Sequence, residues 1–208
     1  MDADSQGNLT GMLGWQQIKR IFPKIEKLLK MGNRKMFYMR CDKKDLLLYG
    51  VTDRSWLGDR TLAQQVEASL RGGATMIQLR EKHMDRGSIL AQALELRELC
   101  GRYGVPLILN DDAELAQAAG ADGVHVGQSD MEAGRVRALL GEDKLIGVSA
   151  RTVEQALAAQ AAGADYLGVG AMFPTGTKQD TRPVSYDTLK AICAAVDIPV
   201  VAIGGIGA

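Results

Sequence analysis

The stretch AQAAGADGVHVG at residues 116–127 returns as AQAAGADYLGVG at residues 159–170, which is 43 residues later. A weaker copy, RGGATMIQLR, begins at Arg71. Each copy passes through a Gly from a segment of helical period into a short apolar run, the pattern of a helix followed by a strand. Each interval between copies holds two strand–helix units. Similarity at every second unit favours a closed barrel of eight units, because alternate strands of that fold contribute to the same interior layer.

Outward from this repeat, short β-branched runs alternate with longer helical stretches from Leu46 to the end of the chain. Thr61, Ser129 and Thr152 each precede Gln or Glu by three residues, the pattern of a capping box at a helix start. Strict alternation with short connections predicts a parallel sheet covered by helices. We expect strands at 46–53, 74–80, 106–111, 123–128, 145–150, 166–173 and 199–205, and helices at 61–71, 88–102, 112–119, 130–140, 152–162 and 185–196.

The number of units sets the predicted domain organisation. Seven strands can be counted, and a further copy of the repeat is due just after residue 205, close to the last residue, Ala208. The sequence therefore predicts an α/β fold, a (βα)8 TIM-type barrel truncated after its seventh strand. Residues 46–208 form this incomplete barrel. Open sheet edges expose unpaired backbone groups, so we expect the chain to be unstable, to form homo-oligomers or to have little activity.

Residues 1–45 are predicted to be an N-terminal extension, loosely ordered or helical. They carry ten basic and five acidic side chains, whereas the complete sequence is balanced at 25 each. Apolar residues recur every three or four positions from Trp15 to Leu29, which predicts an amphipathic basic helix that Pro23 interrupts. The helix is either a loosely attached segment or a surface for a membrane or a partner protein. Alternatively, natural translation begins at Met36 or Met39.

Composition argues against several classes of protein. The balanced charge gives no general attraction to nucleic acid. Three widely spaced cysteines without a CxxC pair argue against a disulfide scaffold and a structural zinc site. No apolar run approaches the ~18 residues of a membrane span, and the N-terminus lacks the pattern of a secretory signal. These features predict a cytoplasmic protein that acts on small molecules, with no nucleic-acid partner and no membrane span.

Polar residues are concentrated where the predicted strands end, which is the catalytic face of a barrel. The segment QLREK places Gln78, Arg80 and Lys82 on one side of an extended backbone. Two cations and an amide at a barrel mouth suit a multiply charged anion, since Arg binds phosphate through two parallel hydrogen bonds. The alternative is a solvated strand end in which Glu81 pairs with Arg80 or Lys82.

Two aspartates end neighbouring predicted strands. Asp111 and Asp130 would lie opposite the cations of the second strand, and together they suit Mg²⁺ shared with phosphate oxygens. An acidic residue at a helix start also complements the helix dipole, and Asp112 is predicted to do only that.

Two further segments suit phosphate. The loop FPTGTKQDTRP (173–183) offers backbone amides, two Thr hydroxyls and Lys178, although a mobile loop is the alternative. Gly204 and Gly205 would let the backbone approach an anion closely. His125 lies inside a predicted strand, where core packing or a single hydrogen bond is favoured over catalysis.

Taken together, these segments resemble the thiamine-phosphate synthase family. The matching motifs run in order from about residue 46 to the end of the chain. They are YGVTDR (49–54), QLREK (78–82), NDD (110–112), GVHVGQSD (123–130), VSA (148–150), FPTGTK (173–178) and IGGI (203–206).

The resemblance implies coupling of an aminopyrimidine diphosphate with a thiazole phosphate, with Mg²⁺ on Asp111 and Asp130. Diphosphate would leave first, and the thiazole nitrogen would then attack the pyrimidine-methyl cation. The resemblance implies catalytic roles for Arg80, Lys82, Ser149 and Lys178. Substrate binding is implied for Gln78, Leu79, Arg80, Glu81, Lys82, Asn110, Ser149, Thr175, Gly176, Thr177, Lys178 and Gly205.

Other functions remain open at this point. The fold would also suit a thiazole tautomerase-like or regulatory relative, although such a protein would not need the QLREK cluster with two aspartates. A different phosphate-binding barrel, as in histidine or tryptophan biosynthesis, is a second alternative. The third is an inactive truncated fragment, or an adaptor that acts through its basic N-terminal helix.

Overall fold

The computed structural model describes residues 41–174 and 183–206 of the 208-residue chain. Its centre is a parallel sheet whose strands are ordered as they occur in the sequence. The strands are β1 (Tyr49–Val51), β2 (Met76–Leu79), β3 (Leu107–Asn110), β4 (Gly123–Val126), β5 (Leu145–Ala150), β6 (Tyr166–Gly170) and β7 (Val200–Ile203).

Helices connect successive strands, as parallel pairing requires. The α-helices of the described residues are α1 (Leu62–Arg71), α2 (Arg86–Tyr103), α3 (Ala113–Ala119), α4 (Ala133–Leu140), α5 (Val153–Ala161) and α6 (Tyr186–Ala195). Two short 3₁₀ helices, Lys43–Leu46 and Arg54–Trp56, precede and follow β1. No helix within these described ranges is both long and apolar enough to span a lipid bilayer.

The sheet curls into a barrel-type surface. The hydroxyl of Tyr49 on β1 lies 2.8 Å from that of Tyr166 on β6, although four strands separate β1 from β6 in the sheet order. A flat sheet would hold the two strands about 24 Å apart at a spacing of ~4.8 Å. The predicted α/β barrel-type fold is therefore confirmed, with seven parallel strands in the described residues.

Strand residues alternate between two cores, since successive side chains point to opposite faces. The larger core lies between sheet and helices and includes Ile77, Leu109 and Leu167. The smaller core lies inside the curl, where Met76, Ile108 and Tyr166 pack with Cys41 and Leu46. Cys41 is 1% exposed, so residues of the predicted extension already pack in this interior.

The AGAD repeat has a structural role that explains its recurrence. The Asp122 carboxylate accepts a hydrogen bond from the Leu107 N–H at 2.8 Å, and the Asp165 carboxylate accepts one from the Ile146 N–H at 2.8 Å. Each aspartate therefore ties the start of its own strand to the preceding strand. Gly120 adopts a left-handed conformation with φ 62° and ends α3, which is what a C-cap Gly allows.

Several predicted boundaries are wrong by a few residues. The predicted strand 46–53 shortens to Tyr49–Val51, because Asp42 caps a 3₁₀ turn that includes Leu46. The predicted capping box at Ser129 does not form: Glu132 is the N-cap of α4, and its carboxylate accepts from the Gly134 N–H. The capping box at Thr61 with Gln64 is confirmed.

Candidate active site

The carboxyl ends of β2 and β3 carry a chain of side-chain hydrogen bonds. Gln78 is 4% exposed, and its Nε2 donates to Asn110 Oδ1 at 3.1 Å. Asn110 Nδ2 donates in turn to Asp111 Oδ2 at 2.6 Å. Pairing of β2 with β3 brings these residues together, since Gln78 lies opposite Ile108 in the ladder, two residues before Asn110. Three residues selected from the sequence are therefore in contact at the mouth.

Asp111 and Asp130 come together at the ends of β3 and β4. Although Asp111 as a residue is exposed, its carboxyl is partly desolvated and shares a hydrogen bond with the Asp130 side chain. Desolvation, this hydrogen bond and repulsion from Asp130 raise the pKa of Asp111 to about 6, while Lys82 and Asn110 oppose the change. Two carboxylates in contact need a shared proton or a cation.

The backbone at this point is unusual. Asp111 has φ 65°, the one positive value for a residue other than Gly in the described ranges. Asp and Asn tolerate this region better than other side chains. The turn is held by the Asp111 N–H, which donates to the His125 carbonyl at 2.8 Å. Asp130 is fixed similarly, because its Oδ2 accepts from the Gly127 N–H at 2.6 Å.

Thr52 fixes the backbone that carries the first cation. Its buried hydroxyl accepts a hydrogen bond from the Arg80 N–H at 2.9 Å and lies 3.4 Å from the Arg80 carbonyl. Lys82, two residues further on, is exposed and near enough to Asp111 to lower its pKa. The predicted grouping of cations with the aspartate pair therefore has structural support at Lys82.

Two residues of the QLREK segment face away from the mouth. Leu79 is 2% exposed and packs in the core between sheet and helices, so only its backbone could reach a ligand at the mouth. The Glu81 carboxylate accepts from Arg54 Nε at 2.8 Å, and its side chain is 5% exposed. Glu81 therefore pairs with Arg54 rather than with Arg80 or Lys82, the partners considered from the sequence.

Asp112 caps a helix, as predicted, but it does not do only that, because it also pairs with Arg86. Its carboxylate accepts from the Leu115 N–H at 2.8 Å at the start of α3. Arg86 donates two hydrogen bonds to the same carboxylate, at 2.9 and 3.0 Å, and a third to Glu114. These contacts join the start of α2 to the start of α3 beside the aspartate pair.

Ser149 lies on β5 within a separate set of interior contacts. Its Oγ is 3.0 Å from His125 Nε2, and its carbonyl accepts from Gln128 Nε2 at 2.7 Å. His125 Nδ1 lies 3.2 Å from the Tyr166 hydroxyl, so this histidine has two side-chain hydrogen bonds. The sequence predicts packing or one hydrogen bond for His125 and gives no indication that Tyr49 or Tyr166 contacts the site. The only available signal was a polar aromatic residue inside an apolar strand.

The predicted phosphate segments are partly described. Thr175, Gly176, Thr177 and Lys178 lie outside the described residues, and their roles stay predictions. Gly205 has φ 67°, and a Cβ there would lie 2.7 Å from the Pro174 carbonyl oxygen. The Gly205 turn therefore packs against the segment that leads into the predicted phosphate loop.

The aspartate pair fits a magnesium ion. Mg²⁺ prefers oxygen ligands and is usually held by one or two carboxylates together with substrate phosphates. The described residues contain no group of three or more His, Cys, Asp or Glu arranged to hold a metal, and the contact of Asp111 with Asp130 offers two carboxylates. The pair borders an open depression of about 520 Å³ lined by Arg86, Asp111, Asp112, Ala113, Glu114, Asp130 and Met131.

A parallel barrel-type sheet with polar side chains at the carboxyl ends of its strands has the architecture of the TIM-barrel enzymes. The family model described as thiamine monophosphate synthase matches residues 48–208. The chain belongs to this family.

Comparison with individual relatives supports the same family. The chain is 50% identical over 166 residues to the thiamine-phosphate synthase of Ruminiclostridium cellulolyticum, covering 80% of this chain and 79% of the relative. It is 51% identical over 162 residues to that of Clostridium acetobutylicum, covering 78% and 77%. A solved thiamine phosphate pyrophosphorylase from Pyrococcus furiosus superposes with a TM-score of 0.72 at 38% identity, covering 79% of this chain and 78% of that one.

Proposed function

We propose that this protein is a transferase of the thiamine-phosphate synthase type, which joins an aminopyrimidine diphosphate to a thiazole phosphate and releases diphosphate. Membership of the family supports the activity. The observation that carries the assignment of the site is the contact of Asp111 with Asp130, beside Lys82 and the Gln78–Asn110 hydrogen bond. Such a grouping of carboxylates, amides and a cation suits a diphosphate bound with a metal ion.

In this proposal, each polar residue at the mouth has a binding role. Lys82 and Arg80 balance the charge of the diphosphate, and Gln78 and Asn110 orient it through their amides. Asp111 and Asp130 would hold Mg²⁺, which neutralises charge on the leaving group. Thr175, Gly176, Thr177 and Gly205 would bind the thiazole phosphate, while Lys178 would reach the diphosphate.

The chemical step needs no nucleophilic side chain. The C–O bond to diphosphate breaks, and its electron pair leaves with the oxygen. The pyrimidine-methyl cation that results is stabilised by the ring amine, and the thiazole nitrogen then forms the new C–N bond with its lone pair. The chain contributes positioning and electrostatic stabilisation. This agrees with the two buried cysteines, since burial raises the pKa of Cys41 to about 12 and of Cys100 to about 11, far from that of a reactive thiol.

A mixing assay tests the proposal. The full chain is incubated with both substrates and Mg²⁺, and thiamine phosphate and diphosphate are measured together. We expect equal amounts of the two products, and a loss of roughly 100-fold in kcat/KM for Asp130→Asn, the size of losing one electrostatic group in an active site.

Asp85→Asn is the matched control. Asp85 caps α2, and Asn retains capping ability, so its activity should equal that of the unmodified chain. Conversion of a thiazole substrate without coupling would instead indicate a tautomerase-like relative. Coupling that continues undiminished in Asp130→Asn would contradict the assigned site.

A further inference from the structure

Four polar side chains form a continuous hydrogen-bonded line inside the barrel, beneath the site. Tyr49 on β1 contacts Tyr166 on β6 at 2.8 Å between hydroxyls. The Tyr166 hydroxyl is 3.2 Å from His125 Nδ1 on β4, and His125 Nε2 is 3.0 Å from Ser149 Oγ on β5. The line therefore links the apolar base of the interior to a residue implied in substrate binding.

Two glycines make the space that this line occupies. A Cβ at Gly168 would lie 2.9 Å from His125 Cε1 and 3.2 Å from Nε2. A Cβ at Gly147 would collide with both the Tyr166 hydroxyl and His125 Nδ1. The His125 imidazole thus occupies the space that side chains at Gly147 on β5 and Gly168 on β6 would otherwise fill. Tyr166 is 0% exposed and its ring centroid is 5.5 Å from that of His125, so the geometry is fixed by packing as well as by hydrogen bonds.

The direction of the hydrogen bonds follows from acid–base chemistry. A phenol is a better donor than a neutral imidazole N–H, and an imidazole nitrogen is a better acceptor than a phenol oxygen. Burial raises the pKa of both Tyr49 and Tyr166, so both keep their protons. Tyr166 therefore donates to His125 Nδ1 and accepts from Tyr49. The neutral ring then carries its own proton on Nε2 and donates it to Ser149 Oγ.

We propose that Tyr166, supported by Tyr49, is a positioning residue that holds His125 in the Nε2–H tautomer and thereby makes the Ser149 hydroxyl a hydrogen-bond donor to the ligand. Because Ser149 Oγ accepts a hydrogen bond from His125, the proton of the Ser149 hydroxyl is available to donate to a lone pair of the ligand. The favoured partner is an unprotonated ring nitrogen of a heteroaromatic substrate, which accepts this proton. The ligand part of this inference rests on the proposed function, whereas the tautomer does not.

The tautomer can be measured on the free protein. The sequence contains two histidines, His83 and His125, so ring-¹⁵N-labelled protein gives two sets of signals, and His83→Gln assigns them. At pH 8, above the ordinary imidazole pKa of ~6.5, we expect the His125 proton on Nε2. In Tyr166→Phe we expect a mixture of tautomers. A wild-type proton on Nδ1 would overturn the inference, whether or not the protein is an active synthase.

Kinetics test the consequence for the substrate. We expect Tyr166→Phe to raise KM for the aminopyrimidine diphosphate by about five- to tenfold, the size of one net hydrogen bond, with kcat within about twofold because the contact exists before and during the reaction. Tyr103→Phe is the matched control: its hydroxyl also has a side-chain partner, Glu67 at 3.0 Å, but on the outer surface. It should leave both constants unchanged.

A double-mutant cycle shows whether Tyr166 acts through Ser149. In a Ser149→Ala background, Tyr166→Phe should change KM by less than about twofold, since the group that it orients is gone. An equal rise in KM with and without Ser149 would overturn the inference, as would an unchanged KM in the single variant. If the unmodified chain forms no thiamine phosphate, the proposed function fails, and the ¹⁵N spectrum still decides the tautomer.

Discussion

At the scale of single residues, Asp111 combines the two unusual features of the site. Its backbone has φ 65°, and its carboxyl is in contact with a second carboxyl. Positive φ in a residue other than Gly is uncommon and is found often at functional sites. The turn directs this carboxylate toward Asp130, so the unusual backbone geometry and the contact between the two carboxyl groups belong together.

The raised pKa of Asp111 predicts how stability depends on pH. The pKa is about 6 in the folded protein and ~3.9 in an unfolded chain, so the folded state binds the proton more tightly. The stabilisation that comes from this bound proton is complete at pH values below the pKa of the unfolded chain. It is lost as the pH rises through the pKa of the folded protein. Without metal, we expect the free energy of unfolding to fall from pH 4 to pH 6 more steeply than in Asp111→Asn.

Asp111→Asn is suitable because Asn also tolerates positive φ. Above pH 6, we expect the metal-free variant to be at least as stable as the unmodified protein while its coupling activity is lower by roughly 100-fold. Urea unfolding at several pH values and the mixing assay measure the two effects. Parallel stability curves for the two proteins would show that Asp111 does not carry the raised pKa.

Part of the site could be predicted from the sequence, because the position of a residue near the end of a strand can be read from the residues around it. Gln78, Asn110, Asp111 and Asp130 lie near or just after the carboxyl ends of strands, so the fold brings them to one edge. The pairing of Glu81 with Arg54 and the Tyr49–Tyr166 contact could not be predicted. Both depend on side chains from strands or loops distant in sequence, and no spacing rule specifies such partners.

At the scale of elements, the order of strands and helices was predictable, whereas their ends were predictable only in part, as at Leu145–Ala150. The alternation of helical and strand periods, together with the glycines between them, determines the order of the elements. The start of a helix depends instead on which side chain accepts a hydrogen bond from a free backbone N–H. Ser129 has the capping pattern, yet Glu132 caps α4. The carboxylate of the neighbouring Asp130 accepts from the Gly127 N–H within the same connection.

The end of α4 is tied to two strands by one guanidinium group, which predicts a large effect on stability. Arg137 donates to the Asp165 carboxylate at 2.6 Å and to the carbonyls of Lys144 at 2.6 Å and Gly163 at 3.2 Å. The Arg137 and Asp165 side chains are 12% and 7% exposed. We expect Arg137→Met to lower the free energy of unfolding by about 3–5 kcal/mol, because the buried Asp165 carboxylate loses the cation that it pairs with.

Urea unfolding followed by circular dichroism measures this change. Arg71→Met is the control, since the Arg71–Glu67 ion pair has similar length, 2.9 Å, but is exposed; exposed pairs contribute little. Adding Asp165→Asn to Arg137→Met should recover part of the loss by removing the unpaired charge. A loss no larger than that of Arg71→Met would contradict the structural role assigned to Arg137.

At the scale of the whole molecule, the two outer strands of the sheet differ from the others because each pairs with one neighbouring strand in the described residues. Within residues 41–174 and 183–206, β1 pairs only with β2 and β7 only with β6. β7 is also less covered than the central strands: its residues are half-buried or exposed, whereas all of β2 and β4 is buried. Exposed apolar side chains cluster beside these edges at Leu47, Leu48, Ile203 and Ile206.

These edges predict self-association of the 208-residue chain. An unpaired strand offers free N–H and C=O groups to another chain, and a charged side chain on the edge prevents such pairing. We expect sedimentation velocity to show an average mass that rises with concentration, and Ile203→Lys to reduce that rise. Leu157→Lys is the control, because Leu157 on α5 is 44% exposed, close to the 39% of Ile203, but lies on a helix away from both edges. If the two substitutions reduced association equally, general surface charge rather than the β7 edge would be responsible, and a monomer at every concentration would contradict the prediction altogether.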